Sequence, residues 1–204
     1  MPTRIIIPIM IVMALVLCPL SGRAALREEN LLAPVPSGFK VGSSVKNERS
    51  IIQEFVPSAE TVENWSRMAT VQIFLGSAQV APDTFANSLA GRWTASCPDG
   101  TAVKFHAGVE NGFPVSLWTF SCPLNPATKK PETMYLKANG GSDSLYVVQY
   151  AYRQALSQAL VGPAVEYLRQ VRACDTRRAD RRCPAGMYSG PTRSVHDPER
   201  WRRR

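Results

Sequence analysis

The sequence predicts a single α+β domain, an antiparallel β-sheet covered by two main helices and braced by two disulfides. Three observations predict it. Short β-branched runs recur between turn signals, two stretches carry apolar residues at helical spacing, and four cysteines remain once the N-terminal segment is set aside.

That N-terminal segment comes first. Arg4 precedes an unbroken apolar run, Ile5 to Leu20, which leads into Ser21, Gly22, Arg23 and Ala24. A basic start, an apolar stretch and small residues at −3 and −1 define a secretory signal peptide, with the cut placed after Ala24. The run is shorter than the roughly 20 apolar residues a spanning helix needs, so residues 1–24 are expected to be removed and to leave no transmembrane span. The mature chain is then expected in the periplasm or outside the cell. Cys18 does not read as a lipid-attachment site, because Leu17 stands where a small residue is needed and Pro19 follows.

About 180 residues remain, which suits one core. Their cysteines are Cys97, Cys122, Cys174 and Cys183, and an even number in an exported chain points to disulfides. Proximity in sequence pairs Cys97 with Cys122 and Cys174 with Cys183. No CxxC pair is present, and His106 and His196 lie far from any close cysteine pair, so neither a metal site nor a cofactor is expected.

Residues 25–38, with Pro34 and Pro36, read as an extended leader, and 39–175 as the α+β domain. Phe39 to Lys46 and Arg49 to Val56 read as a hairpin, with Ile51, Gln53 and Phe55 on one face and Ile52, Glu54 and Val56 on the other. Glu60 to Trp65 is a helical turn or a loop, and Met68 to Leu75 a strand. Pro82 and Asp83 then open a helix, since proline fits the first turn and an acid favours the positive end of the dipole. Its stripe of Phe85, Leu89 and Trp93 faces the core, and Pro98 stops it just after Cys97.

Asn111–Gly112 is the preferred pair for a type I′ turn. Counting back from it sets Glu110 opposite Phe113, Phe105 opposite Trp118 and Val103 opposite Phe120, those last four forming a buried face. His106 and Lys104 then oppose Leu117 and Thr119 on the other face. Cys122 shares a side with Phe120 and so lies within reach of Cys97. Thr133 to Lys137 and Leu145 to Ala151 are two further strands around Asn139–Gly140–Gly141. Gly162–Pro163 starts a last helix with Val165, Leu168 and Val171 on one face, ending near Cys174; residues 153–161 are a weaker helical stretch. Residues 176–204, rich in arginine, proline and glycine, read as a basic and mobile tail.

No GxSxG, HExxH, phosphate loop or EF-hand spacing is present, so no catalytic residue is assigned. His106, with Asp99, Glu110 or a serine as partner, is the only basis for an alternative reading as a small periplasmic enzyme, and a half-exposed strand histidine is the simpler one. A further alternative is a carrier with an apolar pocket between sheet and helices.

Charge is more informative. The formal charge is +8, and from Thr176 onward nine arginines stand against Asp180, Asp197 and Glu199, a net of +6. Arg4 and Arg23 account for the other +2, which leaves a neutral body with a basic tail. A Cys174–Cys183 bond would hold Arg177, Arg178, Arg181 and Arg182 in one small loop. That loop and the terminal Arg200, Trp201, Arg202, Arg203 and Arg204 are the candidate contacts for an anionic partner, because guanidinium groups bind phosphate and carboxylate in bidentate fashion and indole suits an interface. In an exported chain, an envelope protein or an anionic lipid or polymer ranks ahead of nucleic acid. Asn64–Trp65–Ser66 also matches a glycosylation sequon, which matters only in a eukaryotic secretory pathway.

The run Phe55 to Phe74, FVPSAETVENWSRMATVQIF, resembles the "VP-x-GE-[ST]-x-E-x-W-T-x-M-x-T-x-Q" core of a family of small exported bacterial proteins of unknown function. Ala59 stands where that pattern has glycine, and Ser66 where it has threonine. Cys174–Asp175–Thr176–Arg177 followed by Cys183–Pro184 has the same look. The resemblance implies a bacterial envelope setting, and it implies no activity. The order of elements is also similar to that of PsbP-like domains, which implies an antiparallel sheet covered by helices and no function.

Overall fold

A computed structural model describes residues 28–184 of the chain. In order, these form β1 (Glu29–Leu32), β2 (Phe39–Lys46), β3 (Ser50–Pro57), β4 (Arg67–Leu75), α1 (Pro82–Ser96), β5 (Thr101–Glu110), β6 (Phe113–Cys122), β7 (Glu132–Gly140), β8 (Ser144–Tyr152), α2 (Gln158–Gln170) and β9 (Arg172–Asp175), then a 3-10 turn, Ala179–Arg181. The expected signal peptide, residues 1–24, lies outside the described residues.

Seven strands make one antiparallel sheet in the order β2-β3-β4-β8-β7-β6-β5, and β1 pairs with β9 in a separate two-stranded ribbon. The expected α+β class holds. The sheet is covered on both faces. Alternate residues of β8 divide between two apolar clusters: Tyr146, Val148 and Tyr150 pack with Leu160, Tyr167 and Leu168 of α2, while Leu145, Val147 and Ala151 share the other cluster with Ala86 of α1. The central strands β7 and β8 therefore carry apolar side chains toward both helices and read as nearly continuous apolar runs.

Helix α1 forms as its sequence predicts. Pro82 sits at its start and Asp83 in its first turn. Phe85, Leu89 and Trp93 pack on the cluster of Trp118 and Phe120, and the Trp93 indole N–H donates to the Ser121 carbonyl at 3.0 Å. Just past the helix end, Cys97 bonds Cys122 with a Cα separation of 6.0 Å and ties α1 to β6. Cys174 bonds Cys183, with Cα atoms 4.8 Å apart. Both expected pairings are present.

Several boundaries differ from expectation. Within the extended leader lies β1, and Leu31 is buried in the cluster beneath α2. The leader's prolines, at 34 and 36, interrupt pairing only after Leu32. The turn between β7 and β8 is closed by Gly141 N–H donating to Ser144 O at 2.8 Å, so Asn139 and Gly140 belong to β7. Helix α2 begins at Gln158, with Pro163 inside it. A proline there forfeits only the bond to Ala159, close to the helix start, where burial of Leu160 outweighs the loss. The face α2 buries is Leu160, Ala164, Tyr167 and Leu168; of the expected face, Leu168 and Val171 are buried and Val165 is half-buried. Val171 ends the helix, and Cys174 lies on β9.

The Asn111–Gly112 hairpin has the expected turn, with φ of 49° and 74°, and Glu110 faces Phe113. His106 opposes Leu117 as expected. Beyond it a β-bulge between Lys104 and His106 shifts the register, so Lys104 opposes Trp118, Val103 opposes Thr119, and Ala102 opposes Phe120. Trp118 and Phe120 are buried, whereas Val103 and Phe105 are exposed, against expectation. The bulge aims Lys104 at α1, where its ammonium lies 3.1 Å from the Asp83 carboxylate and 5.9 Å from the Trp118 ring centroid.

Candidate functional site

Four segments distant in sequence meet at one corner: β1, the β7–β8 turn, the β5–β6 turn and the loop closed by Cys174–Cys183. Glu29 organises the first two. Its carboxylate accepts the backbone N–H groups of Ser142, Asp143 (3.1 Å) and Ser144 (3.2 Å) and the Tyr146 hydroxyl (2.9 Å). A buried carboxylate satisfied by backbone donors fixes the turn to β1. Burial, with the Glu29 carboxylate beside it, pushes the Tyr146 phenol far above its usual range.

The turn so fixed presents Asp143 to Arg177, whose Nη2 donates to Asp143 Oδ2 at 2.6 Å and to Asp175 Oδ2 at 2.8 Å. Asp175 is fully buried, and Arg177 also gives it a side-chain Nε and a backbone N–H bond, each at 2.9 Å. Those Arg177 bonds hold the Asp175 carboxyl below its ordinary range. Arg178 makes a two-bond fork to Asp180, both at 3.0 Å. Arg181 donates to Ser142 Oγ at 2.7 Å and lays its guanidinium 4.5 Å from the Phe113 ring centroid. The expected anion-binding arginines Arg177, Arg178 and Arg181 are thus engaged within the chain.

Arg182 is different. It is exposed, and its guanidinium makes one bond, to the Ala179 carbonyl at 3.0 Å. The Asn111 amide donates both to Ala173 O (2.9 Å) and to Arg182 O (3.3 Å), which brings Arg182 beside β9. Arg172 of β9 and Arg169 in the last turn of α2 are exposed as well, and neither makes an ion pair among the described residues. Sequence reasoning missed Arg169 and Arg172, because nothing local distinguishes them from other helix-end charges, and it read Asn111 only as a turn residue. The Gly112 position needs its glycine for φ of 74°, and a Cβ there would meet Arg181 Cγ at 3.0 Å and Asp180 O at 3.1 Å. Arg200, Trp201, Arg202, Arg203 and Arg204 lie outside the described residues.

Elsewhere, His106 is exposed on β5, and its imidazole makes no side-chain hydrogen bond or ion pair among the described residues. The Phe55–Phe74 motif is occupied in folding. The Glu60 carboxylate accepts the Ser66 N–H at 2.6 Å and its hydroxyl at 2.7 Å, and Trp65 is buried beneath the Arg153 guanidinium, 4.3 Å from its ring centroid. The Ser66 hydroxyl of the sequon is therefore already engaged. Between the sheet and α2, Tyr135, Tyr150, Tyr152 and Tyr167 form one aromatic cluster, with centroids 5.0 to 6.4 Å apart. The Tyr135 and Tyr167 hydroxyls are buried there without a hydrogen-bond partner among the described residues. No group of three or more His, Cys, Asp or Glu side chains suited to a metal ion occurs among the described residues, and no described helix is long and apolar enough to cross a membrane.

No protein-family model and no curated protein sequence matches the chain. Among solved structures, the chain is similar to the Ran-binding protein Mog1p of Saccharomyces cerevisiae, at 12% identity over 68% of this chain and 78% of that one, with a TM-score of 0.42. It is also similar to cyanobacterial PsbP (CyanoP) of Synechocystis sp. PCC 6803, at 10% identity over 74% and 95% of the two chains, with a TM-score of 0.42. LpqN of Mycobacterium tuberculosis, described as involved in cell envelope biogenesis, has 10% identity over 74% and 86%, with a TM-score of 0.38.

Proposed function

We propose that the chain is an exported, non-catalytic binding module of a bacterial cell envelope, which contacts an anionic surface through its C-terminal basic segment. What supports the reading is the stapled corner: paired acids neutralise Arg177 and Arg178, while Arg169, Arg172 and Arg182 are exposed and have no ion-pair partner among the described residues. Those residues include Arg193, Arg200 and Arg202 to Arg204. Cations held on a disulfide-closed loop pay less ordering entropy on binding than the same cations on a free chain. Export is supported by the signal-like N-terminus and by two disulfides, which persist in oxidising compartments.

Co-sedimentation with vesicles tests this reading. The mature protein should bind phosphatidylglycerol vesicles and release them as salt rises, and should ignore neutral phosphatidylcholine vesicles. Deleting Thr192 to Arg204 should weaken binding at least tenfold, since each basic residue near an anionic surface contributes about 1 kcal/mol. Unchanged binding after that deletion would remove the terminal arginines from the interaction.

A second reading, an apolar-ligand carrier, is favoured by the two unpartnered phenol groups of Tyr135 and Tyr167 beneath α2. Native mass spectrometry of freshly purified protein tests it: a retained small molecule supports a carrier, and a bare protein mass counts against one.

A further inference from the structure

A single line of contacts joins the tyrosines beneath α2 to the surface. Arg67, exposed at the start of β4, lays its guanidinium 5.4 Å from the Phe39 ring centroid. Phe39 lies 6.2 Å from Tyr150, which lies 5.0 Å from Tyr167 and 5.3 Å from Tyr152; Tyr152 in turn lies 6.4 Å from Tyr135. The inner members, Tyr135 and Tyr167, are 2 and 7% exposed, and their hydroxyls find no partner among the described residues. A buried donor left unpaired is destabilising, and phenylalanine at either position would avoid that cost. At the outer end Arg67 makes no ion pair among the described residues, and the nearby Glu60 has both carboxylate oxygens bonded to Ser66.

The cover over this line is lightly fastened. Leu160 and Val161, in the first turn of α2, pack against the cluster, and the Leu160 carbonyl accepts the Tyr152 hydroxyl at 3.4 Å. Behind that turn come Gly162, exposed and with open space where a Cβ would stand, and Pro163, which has no N–H to return to the Ala159 carbonyl. One helical bond is missing there, so the first turn can open on residues 162–163.

We propose that this is a binding site for a small aromatic acid with a second oxygen on its ring, entering beneath the first turn of α2; the inference rests on the carrier reading and names its ligand. The carboxylate pairs with Arg67, the ring lies among the tyrosine rings, and the ring oxygen accepts the Tyr135 and Tyr167 hydroxyls. An acyl chain offers no acceptor and would leave both phenols unpaired. The first turn of α2 carries no acid to repel the ligand.

Calorimetric titration of the mature, disulfide-intact protein with 4-hydroxybenzoate tests the proposal, beside benzoate and decanoate. 4-Hydroxybenzoate should bind, and the other two, which lack the ring oxygen, should bind at least tenfold more weakly. Tyr135→Phe and Tyr167→Phe should each melt no lower than the wild type without ligand, and each should weaken 4-hydroxybenzoate at least tenfold. Arg67→Ala should weaken it as well. Hydroxyls that serve only the fold, through an enclosed water, would give the reverse in the two Phe variants: lower melting and unchanged affinity. That result overturns the proposal, and so does 4-hydroxybenzoate that fails to bind or binds no better than benzoate. Preferential binding of decanoate overturns it too, while leaving the carrier reading in place.

Discussion

Lys137 and Glu110 meet across β6: the Lys137 ammonium, on a side chain only 1% exposed, lies 2.5 Å from the Glu110 carboxylate. The same ammonium donates to the Leu168 carbonyl at 3.2 Å and the Val171 carbonyl at 2.9 Å, the last acceptors of α2. One buried cation thus joins three elements and satisfies a helix end where the macrodipole is negative. Burial holds the Lys137 pKa below its ordinary value, a trend the Glu110 bond opposes.

Lys137→Ala should therefore destabilise the fold by about 3 kcal/mol, because it takes the ammonium donor from the Val171 and Leu168 carbonyls, leaving Leu168 only its bond from the Val171 N–H, and leaves Glu110 without its cation. Glu110→Gln should cost less, since Lys137 keeps both carbonyls. Urea unfolding of the two variants, read as midpoint shifts at constant slope, checks the order.

The two disulfides differ in what they hold. Cys97→Ser with Cys122→Ser should lower stability by about 3 kcal/mol, as expected for a closed loop of this length tying α1 to β6. Cys174→Ser with Cys183→Ser closes a smaller loop and should cost less. It should nonetheless loosen the loop carrying Arg177 to Arg182, measured as faster amide exchange there than in the sheet.

Alkali should unfold the protein through its buried phenols. Burial raises the Tyr152 pKa to about 12, and those of Tyr146 and Tyr167 are raised further. A raised folded pKa means that the unfolded chain gives up its protons first. The stability these tyrosines contribute is full below the unfolded value of 10.0 and is lost as pH rises toward 12. Tyrosinate absorbance should appear together with loss of far-ultraviolet ellipticity. Ionisation of these tyrosines in a still-folded protein would contradict their burial.

The arginines of the corner should separate into two classes. Arg177→Ala uncovers the buried Asp175 and should lower the melting temperature. Arg172→Ala combined with Arg182→Ala should leave melting unchanged and weaken binding to anionic vesicles. Thermal melts and co-sedimentation of the same preparations distinguish the classes.

Local chemistry made much of this fold readable. Asn111–Gly112 specifies its own turn, Pro82–Asp83 specifies a helix start, and cysteines close in sequence pair. What escaped reading depends on distant partners. The alternation through Val103 and Phe105 looks like any half-buried strand, and only Asp83 and Trp118, brought together by the fold, accompany the bulge that exposes them. Gly162–Pro163 resembles a helix start because proline suits the first turn, yet packing of Leu160 beneath the sheet carries the helix further back. The arginine loop was legible as charge and not as wiring. Asp180 lies two residues from Arg178, but Asp143 reaches Arg177 only because Glu29 fixes the turn that carries it.

Crosslinking in intact cells, followed by recovery of the full-length protein and of a chain truncated after Cys183, tests the role of the C-terminal segment most directly. An envelope partner recovered with the full-length chain and lost on truncation is the expected result. Recovery of the same partner by both chains would contradict it and would move the binding surface onto the folded body.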